Sequence, residues 1–229
     1  TFNLHTNLGN IYLNGALNND IKIVPLPYYF LKIHANNLNV AEIIGLDQEL
    51  TVTLSSNFHG EGLSKYDANV EAVVDINKMM LTGNEFKDFS IVGCLENQKL
   101  TASSDVNSNL IKLDVSALLD ISSELPSYDV SLKIKDANLY KLNLLDYDKK
   151  CLLTTDVKAN LRGVDLDEMY GYVSFDSTKF VDSRGDYFMD SLDIYMTENY
   201  FDSKDVAINS DFFDVDLKGI INFTSITNS

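Results

Sequence analysis

The segment LTVTLSSNF at residues 50–58 decides the fold of this chain. Its apolar residues Leu50, Val52 and Leu54 share one parity, and threonine and serine occupy the positions between them. Successive side chains of a β-strand point to opposite faces, so strict alternation gives the strand one apolar and one polar face. Antiparallel sheets with one solvated face show this pattern, whereas parallel sheets covered on both faces do not.

The same alternation recurs along the chain in short runs, which turn-forming residues separate at intervals of about 8–15 residues. In one such run, Leu113, Val115 and Ala117 alternate with Asp114 and Ser116. A long antiparallel meander is therefore expected. At about one strand per 11 residues it would hold about 20 strands and extend about 95 Å.

Helix is expected at only two places, residues 38–46 and residues 139–147. In the first segment Leu38, Ala41 and Ile44 recur at a spacing of three, and the second segment repeats the pattern with leucines. Such spacing puts the apolar side chains on one side of a short helix. Helices this short are marginal in isolation, so both would depend on docking against the sheet.

The chain contains one sequence pattern twice. FLKIHANNL at residues 30–38 returns as SLKIKDANL at residues 131–139, and NFHGEGL at residues 57–63 returns as NLRGVDL at residues 160–166. The spacing is about 100 residues in both cases, which is longer than the repeats of most solenoid proteins. Each unit must therefore contain many short strands.

Prolines mark the expected boundaries of these units. Residues 1–24 are interpreted as the end of a preceding unit, residues 25–125 as the first repeat and residues 126–229 as the second. The chain begins without methionine, so we expect it to be one continuous fragment of a larger protein. Targeting signals and membrane anchors would then lie outside it.

Composition excludes several classes of function. A net charge of −16 argues against nucleic-acid binding, which needs clustered lysine and arginine at a polyanion. A hydrophobic share of 45% argues against disorder, and no apolar run is long enough for a membrane-spanning helix. Cys94 and Cys151 fall at non-equivalent points of the two units, which indicates free buried thiols rather than a disulfide framework.

No arrangement typical of an enzyme occurs in the sequence. His34 and His59 are isolated, and the second unit has no histidine at the matching positions. Asp165, Asp167 and Glu168 lack the spacing of a calcium-binding loop and indicate a solvated turn. Catalytic motifs built on cysteine, serine or zinc ligands are absent from the sequence as well. We therefore expect no enzymatic activity, no metal and no cofactor.

Three sequence segments of the second unit resemble segments of the TamB and AsmA-like proteins of diderm bacteria. LRGVDLDEMYGYVSF at residues 161–175 resembles their glycine-containing turn before an L-x-G-x-[LV] strand. YFMDSLDI at residues 187–194 resembles Y-x-L-D-S-L-x-[LI]. NSDFFDVDLKGIINF at residues 209–223 resembles N-S-D-[FL]-[LF]-D-[AV]-x-[LI]-x-G-x-[FIL]-[ND]-[LF]. The likeness covers residues 155–225, and the first unit follows it loosely.

This resemblance implies an all-β fold: an elongated antiparallel β-meander curved into a U-shaped groove (a β-taco), with one or two short helices at the repeat starts. It also implies a periplasmic location in a diderm bacterium and an inner-membrane anchor outside this fragment. Proteins of this family are thought to carry phospholipid between the inner and outer membranes. A BamA-type outer-membrane β-barrel is the partner that the resemblance suggests for the full-length protein, with a role in outer-membrane protein assembly.

Functional positions in such a protein form a set of inward side chains rather than a catalytic group. The parity derived from the alternating runs selects these positions. The side chains expected to line the lipid groove are Val52, Leu54, Val70, Val74, Phe89, Ile91, Val115, Leu119, Leu132, Ile134, Val157, Leu161, Val173, Phe175, Leu192, Ile194, Phe213, Val215, Leu217 and Ile221.

Two other functions are compatible with parts of the pattern. A structural or adhesive β-repeat stalk with a closed core would show the same alternation, because an inward apolar stripe serves a dry core equally well. A carbohydrate-active β-sandwich would need paired carboxylates and tryptophan platforms. The chain contains no tryptophan and no such carboxylate pair at equivalent turns, so this hypothesis ranks below the groove and the stalk.

Overall fold

The computed structural model describes residues 2–18, 26–165, 168–198 and 204–219 of the chain. These residues form fourteen strands and one short helix, α1 (Val40–Ile44). The first seven strands are β1 (Phe2–Thr6), β2 (Gly9–Asn18), β3 (Tyr28–Asn39), β4 (Leu50–Glu61), β5 (Asn69–Leu81), β6 (Asn84–Glu96) and β7 (Lys99–Asn107). The others are β8 (Lys112–Asp120), β9 (Ser127–Asn138), β10 (Leu152–Arg162), β11 (Tyr170–Asp182), β12 (Gly185–Glu198), β13 (Lys204–Ser210) and β14 (Asp214–Gly219).

All fourteen strands belong to one sheet, in which each strand pairs antiparallel with the next strand along the chain. The sheet is open, because β1 and β14 do not pair with each other in the described part of the chain. The all-β antiparallel meander is therefore confirmed, and this architecture fits a curved groove. The described residues form fewer strands than the 20 expected for the chain, and these strands are longer than expected, up to 14 residues in β12.

Bulges interrupt the regular pairing at the same place in both expected units. Asn37 in β3 and Asp136 in β9 have positive φ angles of 49° and 53°, and the register shifts beside each of them. In each case the backbone N–H donates to a threonine hydroxyl of the next strand, Thr53 or Thr154, at 3.1 Å. A bulge bends its strand and increases the local twist, so the sheet curves at these two matching positions.

The first of the two segments expected to be helical forms α1 and the second forms only turns, so the described residues contain one of the one or two short helices expected. Asn39 caps α1 by accepting a hydrogen bond from Glu42 N at 3.2 Å. Asn138 makes the same bond to Lys141 N at 2.9 Å, but residues 139–147 form only hydrogen-bonded turns. Asn143 adopts a left-handed φ of 59°, which ends the helical geometry after one turn.

One hydroxyl-stabilised turn occurs three times, about 100 residues apart. The hydroxyls of Thr6, Ser108 and Ser210 each donate to the carbonyl three residues later, at 2.9–3.0 Å. Each also accepts the amide two residues later, at 3.1–3.2 Å. The boundaries of the expected units stay a prediction, because the sheet continues through Pro126 by the pairing of β8 with β9.

Carboxylates clamp the β5–β6 and β11–β12 hairpins. The side chain of Glu49, just before β4, accepts the amide of Gly83 at 3.2 Å. Asp148, before β10, accepts the amides of Ser183 at 2.7 Å and Lys150 at 2.8 Å. Each clamp ties the start of one long strand to the tip of the next hairpin.

Acid is expected to weaken the second clamp. Hydrogen bonds from Ser183, and then from Lys150, lower the pKa of Asp148 to about 2. The pKa of an unfolded aspartate is about 3.9, so the contribution of this group to stability is present above about pH 4 and is lost as the pH falls toward 2. Asp148→Asn should lower the melting temperature at pH 7. Between pH 4.5 and 2, the melting temperature of this variant should fall less than that of the parent chain.

The exposed carboxylate of Asp146 provides the matched control. Asp146→Asn should melt as the parent chain does at every pH, measured by circular dichroism. An acid-induced fall in melting temperature that is equally large for Asp148→Asn and the parent chain would contradict the role of the clamp.

Candidate functional site on the apolar face of the sheet

Cross-strand register places apolar side chains opposite one another over most of the sheet. Val115 on β8 lies opposite Leu132 on β9, and Leu132 lies opposite Val157 on β10. The row continues through Phe175 on β11 and Leu192 on β12. Directly opposite residues share a face, so these side chains form an apolar row that crosses the strands at right angles.

A second apolar row lies beside the first, displaced from it by two residues on each strand. Val130 on β9 lies opposite Ala159, which lies opposite Val173 on β11. Ile194 and Ile208 extend this row to β13. The sheet therefore presents a broad apolar face rather than a single line of contacts.

All but two of the predicted groove positions lie on this face. Phe213 lies in the turn before β14 instead, because the Ser210 hydroxyl accepts its amide N–H at 3.1 Å and donates to its carbonyl. Ile221 lies outside the described residues. The other predicted positions pair across the strands with apolar, small or hydroxyl residues of the same face.

Met79 and Phe86 are among the residues of this face that sequence reasoning missed. They lie directly opposite each other on β5 and β6, and Met79 also lies opposite Val52. Strict alternation from Ile76 would place Met79 on the polar face. Register irregularities beside Ile76 and the positive φ of 54° at Asp88 reverse the parity. No simple sequence signal marks such a reversal.

The apolar face remains accessible. Ile91 is 37% exposed and Leu217 is 47% exposed, although both point to this face. Only ten apolar residues are buried in the described part of the chain. The total accessible surface is 14722 Å², compared with about 10,400 Å² for a compact protein of this mass. These values are typical of an open sheet whose apolar side is incompletely covered.

The opposite face is mainly polar. Lys158 on β10 pairs with Asp176 on β11 at 3.5 Å, and Lys99 on β7 pairs with Asp120 on β8 at 3.2 Å. Exposed ion pairs of this kind contribute little to stability, but they keep this side of the sheet hydrated. The two faces therefore differ as the alternation predicts.

A wide hollow of about 700 Å³ lies on the polar face near one end of β3–β6. Phe30, His59, Glu71 and Cys94 contribute side chains to its lining. Cys94 is a half-buried free thiol, whereas Cys151 is free and fully buried. The lining of the hollow therefore includes one histidine, one cysteine and three glutamates, Glu61, Glu71 and Glu96, without a nucleophile–base hydrogen bond between them in the described structure.

The described residues contain no group of three histidine, cysteine, aspartate or glutamate side chains suited to a metal ion. Asp165 accepts the amide of Glu168 at 3.0 Å and so forms part of a turn, and Asp167 lies outside the described residues. No helix within the described ranges is long and apolar enough to span a membrane. The apolar face is therefore the feature of the structure that most needs a functional explanation.

Comparison with known proteins finds no family model, no curated protein and no solved structure that matches this chain. The likeness to TamB and AsmA-like proteins therefore rests on the three sequence segments of the second unit. The function must be argued from the apolar face itself.

Proposed function

We propose that this chain is a segment of a periplasmic lipid carrier and that its apolar face holds the acyl chains of phospholipids. The observation that carries the proposal is the apolar surface that the cross-strand rows form, since many of its side chains remain partly exposed. A soluble protein rarely leaves so large an apolar surface without a partner.

Energetics favour an acyl chain as that partner. Each methylene that leaves water for an apolar surface gains about 0.8 kcal/mol. Among the described residues the face offers no convergent set of polar anchors, so a lipid would be held by its tails and would be free to slide. Fourteen strands at about 4.8 Å extend about 60 Å, which is about twice the thickness of a bilayer's hydrocarbon core. A row of this length suits conduction better than storage of a single molecule.

The rest of the proposal follows the resemblance. The full-length protein would be anchored in the inner membrane of a diderm bacterium, would carry phospholipid toward the outer membrane and would act with a BamA-type β-barrel there. The polar face, with its excess of acidic residues, would keep the elongated sheet soluble in the periplasm.

Photo-crosslinking tests the assignment of the face. A benzophenone amino acid at Val173, Leu192 or Val215 should capture phospholipid when the chain is incubated with phosphatidylethanolamine–phosphatidylglycerol vesicles. The same probe at Asp193 or Asp216, on the polar face, should give only background adducts by mass spectrometry. A closed stalk would give background adducts at every position. Equal labelling of both faces would also overturn the proposal.

A further inference from the structure

The sheet is split between β6 and β7. These strands pair only from Ile91 opposite Ser104 to Glu96 opposite Lys99, so the first half of β6 has no partner in β7. The positive φ of Asp88 lies near the end of this unpaired half, three residues before Ile91, where the pairing begins. On the other side of the split, β7 and β8 are joined by a turn in which Leu110 is buried.

The turn that follows β9 covers this split. Asn143 Nδ2 donates to the carbonyl of Thr82, in the β5–β6 hairpin, at 2.7 Å. Asn138 N donates to the carbonyl of Leu110 at 2.8 Å. A segment of the second expected unit thus contacts both the β7–β8 hairpin and the β5–β6 hairpin of the first unit.

A cavity of about 300 Å³ remains beneath this cover. Its apolar lining comes from both sides of the split. The residues that matter here are Met79, Phe86, Val106, Leu113, Leu142 and Leu144. This volume is roughly twice that of the cavity of about 150 Å³ that stays dry and binds benzene in an engineered protein.

The chemistry of the lining selects an apolar ligand. Its polar residues are Gln48, Thr82 and Asn143. The Thr82 carbonyl and the Asn143 amide already bond to each other. A polar ligand would lose its hydrogen bonds with water and would gain too few new ones in the cavity. An alkyl chain has no hydrogen bonds with water to lose.

The cavity adjoins the proposed groove. Leu113 lies opposite Ile134, and Met79 lies opposite Val52, and both partners are groove positions. A lipid whose tails lie on the apolar face can therefore direct one tail into the cavity without crossing polar surface.

We propose that this cavity binds the terminal methylenes of a single acyl chain and so forms a discrete lipid-binding site at the junction of the two units. The inference rests on the proposed function and adds a defined stop to a groove that otherwise lets lipid slide. Phe86, which is only 4% exposed, would form the end wall.

Methionine methyl groups provide the test, because Met79 lines the cavity and Met196 lies on the open apolar face opposite Gly171 and Val206. The chain labelled with ¹³C-methyl methionine is titrated with stearate that carries a nitroxide at carbon 16 or at carbon 5. The 16-nitroxide should broaden the Met79 methyl resonance at least threefold more than the 5-nitroxide. Met196 should be broadened by both to a similar extent.

Filling the cavity should remove the Met79 preference. Val106→Phe and Leu113→Phe, tested separately, should each abolish the stronger broadening of Met79 by the 16-nitroxide. Neither should change the broadening of Met196. One of the two variants is enough for the test if its amide spectrum shows a folded chain. Broadening of Met196 without a preference at Met79 in the unsubstituted chain would overturn the cavity site and leave the groove intact. Broadening of neither methyl would overturn both. A preference that survives both folded variants would also exclude the cavity.

Discussion

Arginine at position 173 is expected to reduce phospholipid transfer by the chain by about 30-fold or more. Val173 lies opposite Ala159 and Ile194 in the middle of an apolar row. A charged side chain on the lipid-facing side of a strand costs about 2–4 kcal/mol in a bilayer interior, and each 1.4 kcal/mol is a factor of ten in an equilibrium. An acyl chain passing Val173→Arg would meet a hydrated cation in place of an apolar floor.

The assay is the movement of fluorescent phospholipid from donor to acceptor vesicles in the presence of the chain. Tyr172→Arg is the matched control, since Tyr172 is the preceding residue, points to the polar face and is 41% exposed. Both variants should retain the far-ultraviolet circular dichroism of the parent chain. Similar transfer by the two variants would show that lipid does not travel along this face.

Gly171→Ala is expected to destabilise the chain more than a glycine-to-alanine substitution at any other glycine of the sheet. Gly171 has a φ of +134°, and a Cβ there would lie 2.0 Å from the carbonyl oxygen of Asn160 on the neighbouring strand. Neither backbone can move without breaking the pairing of β10 with β11. Gly171→Ala should therefore cost about 3 kcal/mol or more, a loss that typically lowers the melting temperature by about 6–12 °C in a chain of this size.

Gly185 serves as the control for this substitution. It begins β12 at the tip of the β11–β12 hairpin, and a Cβ there meets no atom within 4 Å. Gly185→Ala should therefore melt within about 1–2 °C of the parent chain, because surface substitutions of this kind change stability by about 0.5 kcal/mol or less. Equal melting temperatures for the two variants would contradict the close approach at Gly171.

Alternation was sufficient to predict the two faces of the sheet wherever the strands are regular. Val157, Val173 and Leu192 lie on the apolar face as their parity indicates, because the side-chain period of a strand is two. Parity fails at Met79 and Phe86, where the register irregularity beside Ile76 and the left-handed backbone at Asp88 reverse it. The cost of a bulge depends on contacts between strands, which one strand's sequence does not contain.

Alternation also conceals the correct alignment of the repeat. The sequence match sets Leu31 against Leu132, but Ile33 occupies the structural position that corresponds to Leu132. Ile33 lies opposite Ser56, and Leu132 lies opposite Val157, which is the counterpart of Ser56. A slip of two residues keeps every side chain on its face, so hydrophobic pattern alone does not detect it. The cavity at the junction was unpredictable for a related reason, since it depends on where β6 and β7 separate.

The order of the strands in the sheet has a consequence for how such a protein changes in length. Within the described ranges, each strand pairs only with the strands that directly precede and follow it in the chain. Insertion of one hairpin would therefore disturb a single pairing, restore the strand direction and preserve the identity of both faces. Every inserted hairpin would lengthen the sheet by about 10 Å. Successive insertions can therefore adjust the length of the protein to the distance that it must span, in small steps and without changes in the existing strands.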